Sequence, residues 1–299
     1  MPVFNRRAFT QQCLSSLRRI DRTGLSVGIT VVDDASTDGT GDMIRDEFPE
    51  VTVIAGTGDL WYTAGTNLGI SAALKREPDY ILACNDDSIF DEMSVRRMVE
   101  TAEGNPRSVV GALLLNWDEP HRVRQVSPIW KLSAGGYRHW HRQTVWTVPD
   151  KPWQVEMIVG NCVLYPAAAI REVGLMNAKN LVQYGDAEYT PRMRKRKWQL
   201  LIEPKARVFC APNVEPVGFR RMSLKDKYRE IFKKPGGPYN MRRWLYTAMG
   251  GAPDPVRGVL AFGFLVARLA LGRGPEWRPG FSTEEQPLKE IFADKVVNS

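Results

Sequence analysis

Leu82-Ala83-Cys84-Asn85-Asp86-Asp87-Ser88 closes a short apolar run, residues 80–84, with two adjacent carboxylates. The run has the length and composition of a buried strand. A carboxylate pair held at a strand end suits a divalent cation that neutralises a diphosphate, because hard cations take oxygen ligands. Upstream, Gly28-Ile29-Thr30-Val31-Val32 runs into Asp33-Asp34-Ala35-Ser36-Thr37-Asp38-Gly39-Thr40, so a second apolar strand also ends in an acidic, turn-rich loop. Two strand ends carrying acids make a candidate site.

Working outward, apolar spacing predicts helices over residues 8–19, 42–48, 67–76 and 93–103, and strands over 28–32, 51–55, 80–84 and 109–115. Strands alternating with helices predict an α/β fold with a mostly parallel sheet and ligands at the carboxyl ends of its strands. Residues 116–154 break this pattern with Trp, Arg and His, and read as an irregular hairpin or insertion over the site. His121, His139 and His141 all fall there. His139 and His141 could share a strand face without making a metal site, so they read as structural or acceptor-contacting. No internal repeat or low-complexity segment is present.

With 299 residues and 43% hydrophobic content, the chain can bury a full α/β core and leave a smaller C-terminal region. Cys13, Cys84, Cys162 and Cys210 lack the paired spacing of a zinc site or disulfide framework, which favours a reducing compartment. No signal peptide opens the sequence, and a cytoplasmic location is expected. The net charge of +7 points to an anionic partner: lipid, lipid diphosphate, nucleotide or nucleic acid.

The order of these blocks resembles the nucleotide-sugar-dependent glycosyltransferases of family two, whose nucleotide-binding half has a GT-A-type, Rossmann-like fold. The matching residues are Pro2-Val3-Phe4-Asn5-Arg6, Val32-Asp33-Asp34-Ala35-Ser36-Thr37-Asp38-Gly39-Thr40, Ala64-Gly65-Thr66-Asn67-Leu68-Gly69-Ile70, Asn85-Asp86-Asp87, and Gly185-Asp186-Ala187-Glu188 followed by Arg192. The resemblance implies a catalytic domain over residues 1–215 and a helical C-terminal region over 216–299. It also implies a first core strand longer than the one here, completed either by residues upstream of Met1 or by a neighbouring segment.

By the same resemblance, Asp33 accepts a hydrogen bond from the nucleotide base, while Asp34 and Ser36 serve the turn. Asp87 holds Mn²⁺ or Mg²⁺, and Asp86 contacts ribose or metal. The structural alternative makes Asp86 or Asp87 a cap for a helix starting near Asp91. Residues 58–67 read as a glycine-bearing loop leading into a helix, with Asn67 shaping the nucleotide pocket. Trp61 and Tyr62 either face the donor or form a core pair. Asp186 is the candidate general base and Glu188 its rival. Thr190-Pro191 reads as an N-cap followed by Pro at the first helical position, which would leave both acids in a loop. Arg192 matches a family arginine, and Arg194 to Lys197 read as a solvated basic face. Cys210 stands where relatives often carry a histidine, and reads as an ordinary buried thiol.

Beyond residue 224, a basic amphipathic segment precedes Tyr239-Asn240-Met241-Arg242-Arg243-Trp244, which resembles a Tyr/Arg-rich segment of bacterial relatives that use lipid-linked acceptors. The apolar run 258–267 is too short to span a bilayer; it reads as an interfacial helix, with Trp244, Phe262 and Phe264 available for burial, or as a core helix. After Gly274 a Pro- and charge-rich tail is expected to be loosely ordered. The resulting expectation is an inverting, metal-dependent glycosyltransferase, rhamnosyltransferase-like. It would move one sugar from a nucleoside diphosphate sugar to a glycan or lipid-linked saccharide in cell-surface polysaccharide assembly, with a membrane surface as a further partner. The processive signature Gln-x-x-Arg-Trp is absent. The alternatives are a nucleotidyltransferase, which would want a glycine-rich phosphate loop after the first strand, and a non-catalytic carbohydrate- or nucleic-acid-binding module.

Overall fold

The computed structural model describes residues 1–140, 143–211 and 219–271. In the first third, β1 (Pro2–Val3), β2 (Thr30–Asp33) and β3 (Thr52–Ala55) form a parallel sheet, crossed by α1 (Arg7–Arg18) and α2 (Thr40–Glu47). Next come α3 (Trp61–Leu74), β4 (Tyr80–Cys84), β5 (Ser88–Phe90), α4 (Ser94–Gly104) and β6 (Ser108–Asn116). They are followed by β7 (Val123–Lys131), β8 (Gly136–Trp140), β9 (Trp153–Gln154), β10 (Cys162–Pro166), α5 (Ala167–Val173), α6 (Asp186–Lys195) and β11 (Gln199–Cys210). The second sheet runs β4-β10-β6-β11-β5, with β11 parallel to β6 and the other pairings antiparallel. The parallel pairings form the α/β core that the strand-helix alternation predicts, and β6, buried along nearly its whole length, runs through its middle.

Several elements differ from the sequence reading. Helix α3 begins at Trp61, six residues before Asn67, so most of the expected loop is helix. Its first turn has no local cap. Buried Asp34, at the end of β2, accepts instead from the backbone N–H groups of Gly58, Leu60 and Trp61 at 2.7, 2.9 and 3.3 Å. A capping acid from 24 or more residues upstream leaves no local signature. This also corrects Asp34 from a turn residue to the brace of the β3–α3 loop.

Pro191 lies inside α6 rather than at its first position, so Asp186 and Glu188 sit in the first helical turn and not in a preceding loop. An interior proline costs about 3 kcal/mol through its missing N–H and its clash with the carbonyl four residues back. Complete burial of Tyr189 and Met193 on the same helix offsets this. The hairpin β7–β8 accounts for the Trp- and Arg-rich insertion, with Trp130 opposite Tyr137. His121 is buried against Trp146, their rings 5.9 Å apart. His141, the His139 side chain and the tail beyond Gly274 lie outside the described residues.

The four scattered cysteines converge in one core, where Cys84 stands opposite Cys162 across β4 and β10. All four are buried free thiols. The C-terminal helices are α7 (Leu224–Tyr228), running into a π-helical turn at Arg229–Lys233, then α8 (Met241–Gly251) and α9 (Pro255–Ala270). Ser223, Asn240 and Asp254 cap α7, α8 and α9 by accepting from the N–H three residues on, each contributing about 1 kcal/mol. A small core of Tyr239, Trp244 and Leu269 joins these helices, with Phe262 and Ile231 packed against it. Helix α8 packs on α6, and α9 packs on α8. Among the described residues no helix is long and apolar enough to cross a membrane.

Candidate active site

The acid pair occupies the turn between β4 and β5, where Asp86 and Asp87 are 5% and 6% exposed. Arg6, from the loop after β1, reaches both, at 3.3 Å to Asp86 and 3.1 Å to Asp87. Asp86 Oδ2 and Asp87 Oδ1 are buried without a hydrogen-bond partner. Burial pushes the Asp86 carboxyl up to about 6, against the pull of Arg6. The helix-cap alternative fails on geometry, because the start of α4 is served by Asp91, which accepts from the Met93 N–H at 3.1 Å.

Two adjacent buried carboxylates with free oxygens fit a hard divalent cation. Among the described residues no third His, Cys, Asp or Glu completes a ligand cluster. The pair therefore suits an ion that brings further oxygens from a diphosphate and water. Cys210 ends β11 beside this turn, opposite Ser88, and the neighbouring Ala211 N–H donates to the Asp87 carbonyl at 3.1 Å. Burial pushes its thiol up to about 12, so it offers no thiolate.

A third carboxylate lies across a short turn from the first two. The Asn85 N–H donates to the Asn161 carbonyl at 3.0 Å, and the neighbouring Gly160 N–H donates to Asp186 Oδ2 at 2.9 Å. The Tyr62 hydroxyl donates to the Gly160 carbonyl at 3.1 Å. The two residues Gly160-Asn161 thus tie the acid pair, α3 and the first turn of α6 together. Burial raises the Asp186 carboxyl above the ordinary range, opposed by its backbone hydrogen bonds and the charge of Arg243. Arg243 comes from α8, stacks 3.5 Å from the centroid of the Tyr184 ring, and leaves its Nε buried without a partner.

Glycine is required at both ends of this arrangement. A Cβ at Gly160 would stand 2.6 Å from the Tyr62 hydroxyl and 2.7 Å from Asp186 Cβ. Gly160→Ala is accordingly expected to displace Asp186 and cut turnover at least about tenfold while the fold persists, since misplacing a catalytic group by an ångström is costly. Steady-state kinetics beside a thermal melt would check it; unchanged turnover would show that Asp186 needs no such seat. At Gly185, a Cβ would lie 2.6 Å from Thr63 Cγ2. A larger side chain at that point would have to displace Thr63.

The remaining candidates divide. Asp33 takes the Ser36 N–H on Oδ1 at 3.0 Å, and its Oδ2 faces the first turn of α2, where Gly41 permits close approach. Trp61 is 44% exposed at the mouth of the β3–α3 loop, whereas Tyr62 turns inward, so they form no core pair. Asn67 braces the backbone, its amide binding Met176 twice, at 2.9 and 3.0 Å. Arg192 braces the backbone as well. Its guanidinium donates to the Val173 and Leu175 carbonyls at 3.1 and 2.7 Å and pairs with Glu188 at 3.0 Å. Glu188 faces α8, with its Cγ 2.4 Å from where a Cβ at Gly250 would stand. Two residues along a helix turn a side chain to the opposite face, so Glu188 and Asp186 cannot serve one substrate atom.

Sequence reasoning assigned no role to Arg6, Gly160 or Arg243. Arg6 and Arg243 both stood in quoted motifs, but which acids they face depends on chain crossings of 80 and 57 residues. Gly160 had only its position just before an apolar strand as a signal.

A model of the family described as Glycosyl transferase family 2 matches residues 1–174. An N-acetylglucosaminyl-diphospho-decaprenol L-rhamnosyltransferase of Mycobacterium tuberculosis (strain H37Rv) is 24% identical over 205 residues, 61% of this chain and 66% of that protein. The same enzyme of strain CDC 1551 / Oshkosh matches equally. The chain thus spans just under two thirds of the curated relatives it matches. Among solved structures, GalNAc-T7 with UDP, GalNAc and Mn²⁺ superposes with a TM-score of 0.61 at 12% identity, over 88% of this chain and 53% of that one. TarS 1-349 of S. aureus in complex with UDP gives 0.52 at 13%, over 90% and 70%.

Proposed function

Because this chain belongs to glycosyl transferase family 2, we propose that it moves a single sugar from a nucleoside diphosphate sugar to a glycan or lipid-linked saccharide, with inversion at the anomeric carbon. The observation that carries this reading is the Gly160-Asn161 turn, which sets a buried acid pair with one free oxygen on each carboxylate on one side and the buried Asp186 on the other. The mycobacterial relatives' names favour a rhamnosyl donor and a polyprenyl diphosphate-linked acceptor in cell-envelope assembly. We assign the chemistry to residues 1–215 and treat 216–299 as a C-terminal region whose described helices pack onto it, in a protein acting in the cytoplasm.

Asp186, whose Oδ2 is held by the Gly160 N–H, takes the proton of the acceptor hydroxyl on Oδ1. The hydroxyl oxygen attacks the anomeric carbon from the face opposite the diphosphate, and the bond from that carbon to the diphosphate oxygen breaks. Asp86 and Asp87 would hold Mn²⁺ or Mg²⁺, which when bound supplies Lewis-acid stabilisation of the leaving diphosphate. Asp33 receives the nucleotide base, and exposed Trp61 borders the same mouth.

Calorimetric titration with a panel of nucleotide sugars, with and without Mn²⁺, tests the reading. One nucleoside diphosphate sugar is expected to bind, more tightly with the ion. Binding of nucleoside triphosphate and sugar phosphate instead would make the protein a nucleotidyltransferase, and binding of saccharide alone a non-catalytic module. Asp33→Ala is expected to weaken donor binding roughly ten- to hundredfold, the scale of a hydrogen bond to a charged group, with turnover at saturation little changed. Lower turnover at unchanged donor affinity would remove Asp33 from the nucleotide pocket.

A further inference from the structure

Helix α9 is apolar on both sides. Its inner flank buries Gly258, Ala261 and Leu269, while Val256, Val259, Leu260, Phe264 and, just past its end, Leu271 lie between 46% and 71% exposed. These positions recur at helical spacing and form one stripe, and Arg257 is the only polar side chain among the fully exposed positions of the helix. The neighbouring α7 and its π-helical turn repeat the arrangement, with Leu224, Tyr228 and Phe232 exposed by 84%, 56% and 59% at four-residue spacing. Tyr228 and Phe232 stack on one another at 5.3 Å rather than on the body of the protein. Both elements pack around the same small core, through Ile231 from one and Phe262 and Leu265 from the other. Exposed cations border these rows: Lys225, Lys233 and Arg229, the last paired with Asp226 at 3.4 Å, on the first, and Arg257, paired with Asp254 at 3.2 Å, on the second.

Exposed apolar rows of this kind, rimmed by polar residues, mark a docking surface. We infer that α7 and α9 form a membrane-docking face that inserts its apolar side chains into the headgroup region of an anionic phospholipid bilayer, with the bordering cations on the lipid charge. Charge decides the occupant. A second copy of this chain would bring its own +7 against the same basic rim, whereas an anionic leaflet complements it. The face also connects to the chemistry, since α9 packs on α8, which carries Arg243 and packs on α6, which carries Asp186. Docking would thereby set the Asp186 side of the site at a fixed height over the bilayer. The inference stands on the exposed side chains and not on the acceptor assignment.

Co-sedimentation of the full chain with vesicles of phosphatidylglycerol and phosphatidylcholine, containing no saccharide lipid, tests it. Binding is expected to the mixed vesicles and to be at least about tenfold weaker to phosphatidylcholine alone. The double variant Leu260→Glu with Phe264→Glu, both at exposed positions, is expected to lower binding to the mixed vesicles at least about tenfold at an unchanged melting temperature. Lys225→Glu with Lys233→Glu provides a second, independent reduction that does not touch α9. No binding by the parent protein, or equal binding by both double variants, would overturn the inference. So would sedimentation velocity showing a lipid-free dimer that Leu260→Glu with Phe264→Glu dissociates, since the face would then be an interface between copies. Because the vesicles hold no acceptor, a failure of the lipid-linked acceptor reading leaves this result unaffected.

Discussion

Asp87→Ala is expected to abolish sugar transfer and the metal-dependent part of nucleotide binding while leaving the melting temperature unchanged or slightly higher. The substitution removes one buried carboxylate whose Oδ1 has no hydrogen-bond partner, so its loss relieves a desolvated group rather than opening an apolar core. The turn itself survives, because the Asp87 carbonyl still accepts from Ala211 and the Asn85 N–H still reaches Asn161. Arg6 keeps its contact with Asp86 at 3.3 Å, and a partly exposed ion pair contributes only about 1 kcal/mol or less. What disappears is an oxygen ligand on a hard cation, for which an alanine methyl offers nothing. Titration of nucleoside diphosphate with and without Mn²⁺, beside a calorimetric melt, separates the effects. Near-normal turnover of the variant in Mn²⁺ would move the cation elsewhere.

Asp186→Asn is expected to slow transfer by roughly a hundredfold or more, the usual scale of a general-base contribution, with donor binding retained. The amide is nearly isosteric, and its oxygen can still accept from Gly160 N–H, so the helix keeps its seat. It cannot take the acceptor's proton. The wild-type pH profile provides a second reading. Burial raises the Asp186 carboxyl above the ordinary carboxylate range, and the base works only when ionised. Activity is therefore expected to be full above that raised value and to fall as pH drops through it, and the Asn variant is expected to lose that limb. Glu188→Gln is expected to be mild, since Glu188 pairs with Arg192 and faces α8. If Glu188→Gln were dead and Asp186→Asn active, the two roles would be exchanged; if both were active, the base would lie on another residue.

The apolar runs before Asp33 and Asp86 were legible because a strand buried on both faces must be apolar along its length, and its end is where polar residues resume. Four of the six strands and all four helices of the first 116 residues follow from that periodicity, within a few residues at most boundaries. Boundaries failed where a distant group supplied the missing partner. Helix α3 starts early because Asp34 caps it from another strand, and Pro191 is tolerated inside α6 because Tyr189 and Met193 are buried beside it. Local chemistry can show only local caps.

The acids at 33, 86, 87, 186 and 188 were visible by residue type, but type alone left Asp186 and Glu188 equivalent. Tertiary structure separated them, through a glycine at 160 whose missing side chain admits one carboxylate, and a helix at 241–251 that packs against the other. It also turned Asn67 and Arg192 into braces, because hydrogen-bonding groups are consumed by whichever backbone lies nearest once the chain is folded. Sequence by itself determined which candidate acids the chain offers, since that is a property of side-chain type. How each of them is partnered was decided by folding alone, because the groups that meet it come from segments far apart in the chain.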